Sequence, residues 1–170
     1  MVAKLSLRNV AIVLLAAATV FAGWAGWTWL RASGDDAISF AAARDEALLA
    51  GREQIAQLTT LDYHDVDAGL ARWLAVSTGP LHDKLAGTDE QTKNSLRQGG
   101  TVSTGAVLDA AVSELDQHAG TAKLLVSVEI TQARQGTAPA TKRNRFVAAL
   151  THTGAGWKLS ALDQVPLGTG

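Results

Sequence analysis

Residues 122–131 read AKLLVSVEIT and carry the clearest structural pattern in the chain. One side of its pattern carries four aliphatic side chains, at Leu124, Val126, Val128 and Ile130. The other side carries Lys123, Ser127 and Glu129. An alternation with a period of two is typical of a β-strand that buries one of its faces. The sequence therefore predicts a sheet whose apolar face needs a cover.

The segments around this strand continue the β pattern. Residues 101 to about 115 are rich in Val, Thr and Ala, residues 145–152 alternate again, and a last strand runs from Trp157 to about Val165. The connections are polar or glycine-rich, as hairpin turns usually are, and they comprise residues 117–120, 134–140 and 153–156. About four strands joined by such short turns predict an antiparallel meander.

The half of the chain before the strands has helical periodicity. From Ala37 to about Thr59 the residues are good helix formers with apolar side chains at helical spacing. A short second helix follows, which Asp65 or Asp67 can cap, and a third is predicted over residues 81–96 with a break at 87–90. Helices followed by a meander predict an α+β fold, with about three helices packed on one sheet.

A long uncharged segment precedes these helices. No Asp, Glu, Lys or Arg occurs in the 21 residues from Val10 to Leu30, and about 20 residues are needed to span a bilayer as a helix. Lys4 and Arg8 precede the segment and Arg31 follows it, so the basic residues favour a cytoplasmic N-terminus. The expectation is a single-pass plasma-membrane protein with a cytoplasmic tail (1–9), a transmembrane helix (10–30), a short linker (31–36), an extracytoplasmic domain (37–166) and a tail (167–170).

The alternative for this segment is a cleaved signal peptide with a cut near residues 32–34. Its apolar core would normally be about 7–15 residues long, which is shorter than the observed run. Ala18, Ala22 and Gly26 recur every four residues within the run. Small residues at this spacing let two membrane helices approach closely, so these three are the predicted helix–helix contact. Alanine-rich helices also produce the same spacing by chance.

The composition excludes several classes of function. The chain has 15 basic and 16 acidic side chains, which gives no basic footprint for a nucleic-acid partner. The absence of Cys excludes disulfides, thiolate catalysis and Cys-ligated zinc. The four His residues are far apart, and neither a glycine-rich phosphate loop nor a nucleophile elbow occurs. The sequence predicts no enzyme, no metal site and no cofactor.

Three aspartates form the densest polar group in the chain. Asp62, Asp65 and Asp67 could hold a hard cation between them. An EF-hand would also need a glycine and a distal glutamate at fixed offsets, and neither is present. Aspartates that cap a helix–helix connection are therefore the favoured interpretation.

Two further sets of residues are candidates for contacts. The first is basic and is predicted to meet a protein partner or lipid headgroups, with a solvated hairpin as the alternative: Arg134, Lys142, Arg143 and Arg145. The second is apolar or aromatic and is predicted to form either the core or a pocket: Tyr63, Trp73, Leu124, Val126, Phe146 and Trp157.

The order of several weak motifs resembles a known family. ARDEA at 43–47 and LTTLDY at 58–63 are followed much later by Gly-Trp at 156–157 and DQVP at 163–166. In this order, and over nearly the whole chain, the sequence is similar to the Mce-associated membrane proteins of actinobacteria. No single motif is diagnostic, and Leu61 stands where a Tyr is expected.

The resemblance implies a soluble domain with the nuclear transport factor 2-like fold, a curved antiparallel sheet wrapped by helices. A similar fold occurs in the scaffold subunit of the type IV secretion apparatus. The implied role is that of an accessory or stabilising subunit of a lipid-import complex in the cell envelope. Its implied partners are the membrane and Mce transporter subunits or other envelope proteins, with self-association left open.

Two hypotheses for the function follow. The first is a non-catalytic scaffold that holds the subunits of an envelope transporter together. The second is a lipid- or steroid-binding domain, with or without enzymatic activity, whose pocket in the concave sheet is lined by Leu124, Val126 and Phe146. A filled interior would count against the second hypothesis.

Overall fold

The structure is a computed structural model that describes the backbone of residues 7–134 and 136–165. Its side chains are described for residues 18–29, 37–134 and 136–165. The predicted C-terminal tail at 167–170 and most of the N-terminal tail lie outside these ranges. The chain divides into two compact units, Met1–Ala42 and Ala43–Gly170, and each is described by itself.

The first unit is helical. Helix α1 extends over Leu7–Leu58, and its residues before Ala43 belong to this unit. The predicted linker at 31–36 forms part of the helix, because one glycine costs a helix only about 1 kcal/mol relative to alanine. Among the residues that the structure describes, no helix combines the length and the apolar character needed to cross a membrane. That description omits the side chains of residues 10–17 and 30 in the predicted span.

The second unit contains the rest of α1, three further α-helices and a sheet. After α1 come β1 (Leu61–Asp62), a 3-10 turn (Tyr63–Asp65), α2 (Val66–Val76), α3 (Gly79–Ala86), α4 (Glu90–Gly99), β2 (Thr101–Asp116), β3 (Thr121–Arg134), β4 (Ala140–Thr153) and β5 (Gly156–Gln164). The strands lie in the order β1-β2-β3-β4-β5, and all neighbours pair antiparallel. The predicted α+β order and the meander are confirmed.

Local sequence signals set several of these boundaries. The predicted break in the third helix separates α3 from α4, and Asp89 caps α4 by accepting a hydrogen bond from the Thr92 amide at 2.8 Å. Gly100 ends α4 with a φ of 59°, a left-handed conformation that favours glycine. The short strand β1 is missed by the sequence, because two residues are too few to show a period.

The core lies between α1 and one face of the sheet, called here the inner face. Ala47 and Ile55 of α1 are fully buried against it. The buried sheet residues comprise Ala122, Leu124, Val126, Val128, Ala148, Leu150, Trp157 and Leu159. Along β3 the buried residues alternate with exposed ones as the sequence predicts, so α1 covers the aliphatic face of residues 122–131.

The segment between α2 and α3 covers part of the unpaired edge of β5, the last strand of the sheet. Ser77 bridges Leu159 in parallel, and the Thr78 amide donates to the Leu159 carbonyl oxygen at 2.8 Å. The Lys158 ammonium donates to the Ala75 carbonyl oxygen at 2.9 Å, near the C-terminus of α2. These bonds fix α2 and α3 beside the sheet.

Candidate functional site

The three aspartates of the connection after α1 each have a structural partner. Asp62 accepts hydrogen bonds from the His64 amide at 2.9 Å and the His64 ring at 2.7 Å. Asp65 caps α2 by accepting from the Ala68 amide at 3.3 Å. Asp67 pairs with Arg97 at 2.6 Å and Lys93 at 3.2 Å, which joins α2 to α4. Within the described residues, no group of three or more His, Asp or Glu side chains is arranged to hold a metal ion.

These partners also account for two shifted pKa values. The pKa of Asp62 is lowered, first by the hydrogen bond from the His64 amide and then by the His64 ring. The pKa of Asp67 is lowered, first by the hydrogen bond from Lys93 and then by that from Arg97. In both cases the bonds favour the ionised carboxylate, as expected for capping or ion-pairing groups.

Two of the core-or-pocket candidates, Tyr63 and Trp73, lie among the helices and differ in their surroundings. Tyr63 is half-buried, and its ring lies 3.8 Å from the His64 ring, centroid to centroid. The Trp73 indole N–H is shared between the carbonyl oxygens of Gln57 (3.0 Å) and Thr60 (3.1 Å) at the end of α1. Trp73 therefore ties α2 to the C-terminus of α1, where helix carbonyls lack partners within the helix.

The four remaining core-or-pocket candidates lie in the sheet. Leu124, Val126 and Trp157 are buried in the core, and Phe146 is half-buried against it. Helix α1 occupies the space above them, since Gly51 lies directly over Leu124 and Leu150. A separate open cavity of about 440 Å³ lies at the end of the sheet near the β2–β3 turn, and Leu115, Thr121, Lys123 and Ala149 are among its lining residues. It contains none of the predicted pocket residues.

The predicted basic cluster is divided between two places. Arg134 donates from Nε to the Gly99 carbonyl oxygen at 2.9 Å and so satisfies the last turn of α4. Lys142, Arg143 and Arg145 are exposed on β4, and Arg143 pairs with Glu129 of β3 at 3.0 Å. Register places Lys142 beside Ile130 on the side of the sheet that α1 covers and places Arg143 and Arg145 on the opposite side, so these three residues do not form one surface. Arg134 has a structural role.

The sheet face opposite α1, called here the outer face, has a feature that the sequence analysis missed. Leu125 is 52% exposed there, and Ala111 and Val147 pair with it on either side. In the adjacent row, Ser127 pairs with Asp109 on β2 and with Arg145 on β4. Leu125 was the available signal, because it is the apolar residue on the polar side of residues 122–131.

In the first unit, the predicted small-residue strip is exposed. Ala18, Ala22 and Gly26 are all exposed, and a Cβ built at Gly26 would have open space around it. Large apolar side chains are exposed in the same segment, among them Phe21 at 69% and Trp24 at 66%.

Several solved structures share this fold. The chain is similar to an IcmL-like type IV secretion system protein from Legionella pneumophila, with a TM-score of 0.60 and 11% identity over 75% of this chain and 95% of that one. It is also similar to CagV, a VirB8 homolog of the type IV secretion system of Helicobacter pylori, with a TM-score of 0.53 and 8% identity over 69% and 95% of the two chains. At these identities the likeness shows the fold alone.

One similar structure has another description. It is a putative aromatic ring hydroxylase from Novosphingobium aromaticivorans, with a TM-score of 0.51 and 17% identity over 72% of this chain and 91% of that one. No curated protein has a sequence that matches the chain. The chain belongs to the family described as "Uncharacterized protein Rv1363c/MT1408-like", whose sequence model matches residues 4–166.

Proposed function

We propose that this protein is a non-catalytic scaffold subunit of the cell envelope that stabilises or assembles a lipid-import complex of the Mce type. The single observation that carries the scaffold role is the fold. Two of the similar structures are type IV secretion components, and each match covers more than two thirds of this chain. The Mce assignment rests on the order of sequence motifs from residues 43–47 to 163–166.

The inner face of the sheet is covered by α1, and this supports a role without catalysis. A ligand site on the inner face would need that face to be open, and here Ala47, Gly51 and Ile55 of α1 lie against it. The aspartates of the connection act as caps and ion pairs. The exposed surfaces are therefore the parts of the domain that remain for contacts with partners.

We further propose that residues 10–30 anchor the protein in the plasma membrane, with the second unit outside the cytoplasm. The proposal rests on the 21 uncharged residues and on the flanking Lys4, Arg8 and Arg31. The exposed Phe21, Trp24 and Trp27 suit a lipid-facing surface near an interface. The exposed strip of Ala18, Ala22 and Gly26 is the surface for a neighbouring membrane helix.

The scaffold role is tested by deletion of the gene and quantification of envelope proteins. We expect the steady-state levels of the partner Mce subunits and the uptake of lipid to fall, and to recover when the gene is restored. A membrane protein of an unrelated complex serves as the control and should keep its level. Normal Mce subunit levels together with normal lipid uptake would refute the proposal.

The anchor is tested in the same cells with single cysteines, because the natural chain has none. A membrane-impermeant maleimide should label Ser95→Cys and leave Lys4→Cys unlabelled until the membrane is permeabilised. Cleavage of a signal peptide would instead shorten the protein by about 3 kDa relative to a cell-free product. Equal labelling of both variants in intact cells would contradict the orientation.

A ligand-binding function is the alternative, and the likeness to a putative aromatic ring hydroxylase favours it. The guest would be a lipid or steroid, and the cavity of about 440 Å³ near the β2–β3 turn is large enough for part of one. Native mass spectrometry of the purified full chain tests this alternative. A co-purified lipid that is lost in an Ala149→Trp variant would support it, and a ligand-free spectrum would reject it.

A further inference from the structure

The sheet extends beyond the C-terminal end of α1. Thr59, the residue after this helix, lies directly against Gly105 of β2. Farther along the same side of the sheet lie Gln132 and Arg134 of β3, which continue the alternation of the buried residues of that strand. Polar side chains therefore replace the apolar ones on this side of the sheet where the helix ends.

An open cavity of about 530 Å³ lies at this end of the sheet. Its volume is within the range of sites that hold small molecules. Among the described residues that line it there is no Asp or Glu, so a bound anion would meet no carboxylate at the cavity wall. The lining residues are Thr101, Gln132, Arg134, Thr137, Ala138 and Ala140.

Arg134 is held at this cavity with part of its guanidinium unused. Its Nε donates to the Gly99 carbonyl oxygen at 2.9 Å, which fixes the side chain at the C-terminus of α4. Its two terminal nitrogens make no hydrogen bond or ion pair with the part of the chain that the structure describes. Two guanidinium nitrogens side by side match the spacing of two oxygens in a phosphate group.

Lys142 brings a second positive charge to the same side of the sheet. It follows Ala140 of the cavity by two positions in β4, so its Cα lies about 7 Å farther along the strand and its flexible side chain can reach back. Lys142 has no ion pair among the described residues, whereas the next residue, Arg143, points to the opposite side and pairs with Glu129 at 3.0 Å. Two cations without a carboxylate partner create a positive potential that favours an anion.

We propose that this end of the sheet, called here the basic cleft and formed by Gln132, Arg134 and Lys142, binds a phosphate group. The guanidinium of Arg134 and the ammonium of Lys142 supply the charge, and the Gln132 amide supplies further N–H donors. The phosphate belongs either to a free phosphate compound or to the headgroup of an anionic phospholipid, because both present the same oxygens. The site does not depend on the scaffold role.

The first test titrates the purified full chain, in a non-ionic detergent, with inorganic phosphate and with glycerophosphoglycerol, the water-soluble headgroup of phosphatidylglycerol. Sodium chloride holds the ionic strength constant. We expect saturable shifts of the amide NMR signals of Gln132, Thr137 and Ala138. Tighter binding of glycerophosphoglycerol would identify a lipid headgroup as the ligand, and equal or tighter binding of inorganic phosphate would identify a free phosphate compound. The absence of a saturable shift with both compounds would overturn the proposal.

The second test repeats the titrations with charge variants of the full chain. Lys142→Gln and Arg134→Lys should each weaken binding about threefold to tenfold, because the first removes a charge and the second replaces the planar guanidinium with a single ammonium. Arg145→Gln is the matched control and should bind as the wild type does. Arg145 is exposed on the opposite side of β4 and is likewise without an ion pair in the described part of the chain.

Lys142 makes no hydrogen bond with the described residues, so Lys142→Gln remains a valid test even if Arg134→Lys loses stability with its bond to Gly99. The melting temperature of each variant separates a folding defect from a loss of binding. Unchanged binding in Lys142→Gln, or an equal loss in Arg145→Gln, would refute the basic cleft as the site.

Discussion

Gly51 of α1 lies so close to Leu124 of β3 that a Cβ at position 51 would stand 2.5 Å from the Leu124 Cδ2 atom. Leu150 is the next neighbour, at 3.4 Å. Leu124 is fully buried in the core. Because position 51 has no side chain, α1 can pack directly on the sheet, and the helix fills the space over the inner face.

Gly51→Ala should destabilise the protein even though alanine is the better helix former. Overpacking of a core costs about 1–3 kcal/mol, and the gain in helix propensity is about 1 kcal/mol, so the net loss should be about 1 kcal/mol. Gly99→Ala in α4 is the matched control, since a Cβ there meets nothing within 4 Å. Thermal unfolding should show a lower Tm for Gly51→Ala and an equal or higher Tm for Gly99→Ala. An unchanged Tm in the first variant would contradict the tight contact.

Trp73→Phe should cost more stability than Trp157→Phe, although Trp157 is the more buried of the two. The Trp73 indole N–H donates to the carbonyl oxygens of Gln57 and Thr60. The Gln57 oxygen also accepts from the Thr60 amide, so the cost of the substitution, about 1–3 kcal/mol, comes mainly from the Thr60 oxygen that loses its indole donor. The Trp157 indole nitrogen is buried without a hydrogen-bond partner among the described residues, so its removal sacrifices packing alone. Urea unfolding of both variants gives the comparison. The reverse order of stabilities would show that the two bonds contribute little.

Asp67→Asn should lower the stability at neutral pH and have little effect in strong acid. Lys93 and then Arg97 lower the pKa of Asp67 in the folded protein below the ordinary value of 3.8. A lowered pKa contributes stability above the ordinary value, and this contribution is lost as the pH falls through the folded-state pKa. The Tm difference between wild type and variant should therefore be full at pH 7 and shrink below about pH 4.

The control for that prediction is Asp83→Asn, whose side chain is 85% exposed and lies 3.9 Å from His82. Its Tm should stay close to that of the wild type at pH 7. Added salt should reduce the effect of Asp67→Asn, because the Asp67 carboxylate is exposed to solvent and its ion pairs are screened. A Tm difference that persists at pH 2 would disprove the role of these ion pairs.

Asp89→Ala should loosen α4 without unfolding the domain. Asp89 accepts from the Thr92 amide at the start of this helix, and none of the residues of α4 is buried. A helix that depends on its cap and its surface ion pairs should fray when the cap is removed. Hydrogen exchange of the α4 amides should become a few-fold faster, while the amides of β3 keep their rates. Gln91→Ala, an exposed change in the same helix, should leave both sets unchanged.

Features that depend on neighbouring residues in the chain could be predicted from the sequence. The alternation of residues 122–131 determined strand β3 and its buried face. The break before Glu90 separated α3 from α4, and of the two aspartates that the pattern offered as the cap of α2, Asp65 forms it. Periodicity, capping and turns act over a few residues, so their signals are present in the sequence.

Contacts between residues that are distant in the sequence became visible only in the folded structure. Asp67 forms an ion pair with Arg97, which lies 30 positions later in the sequence, and Gly51 packs against Leu124, which lies 73 positions later. The row from Asp109 through Ser127 to Arg145 exists because antiparallel register brings three strands side by side. Two bulges in β2 help to set that register, and no local pattern marks where they occur. Contacts of this kind depend on how distant segments of the chain pack together. Periodicity, capping and turn signals act over only a few residues, so they do not specify such contacts.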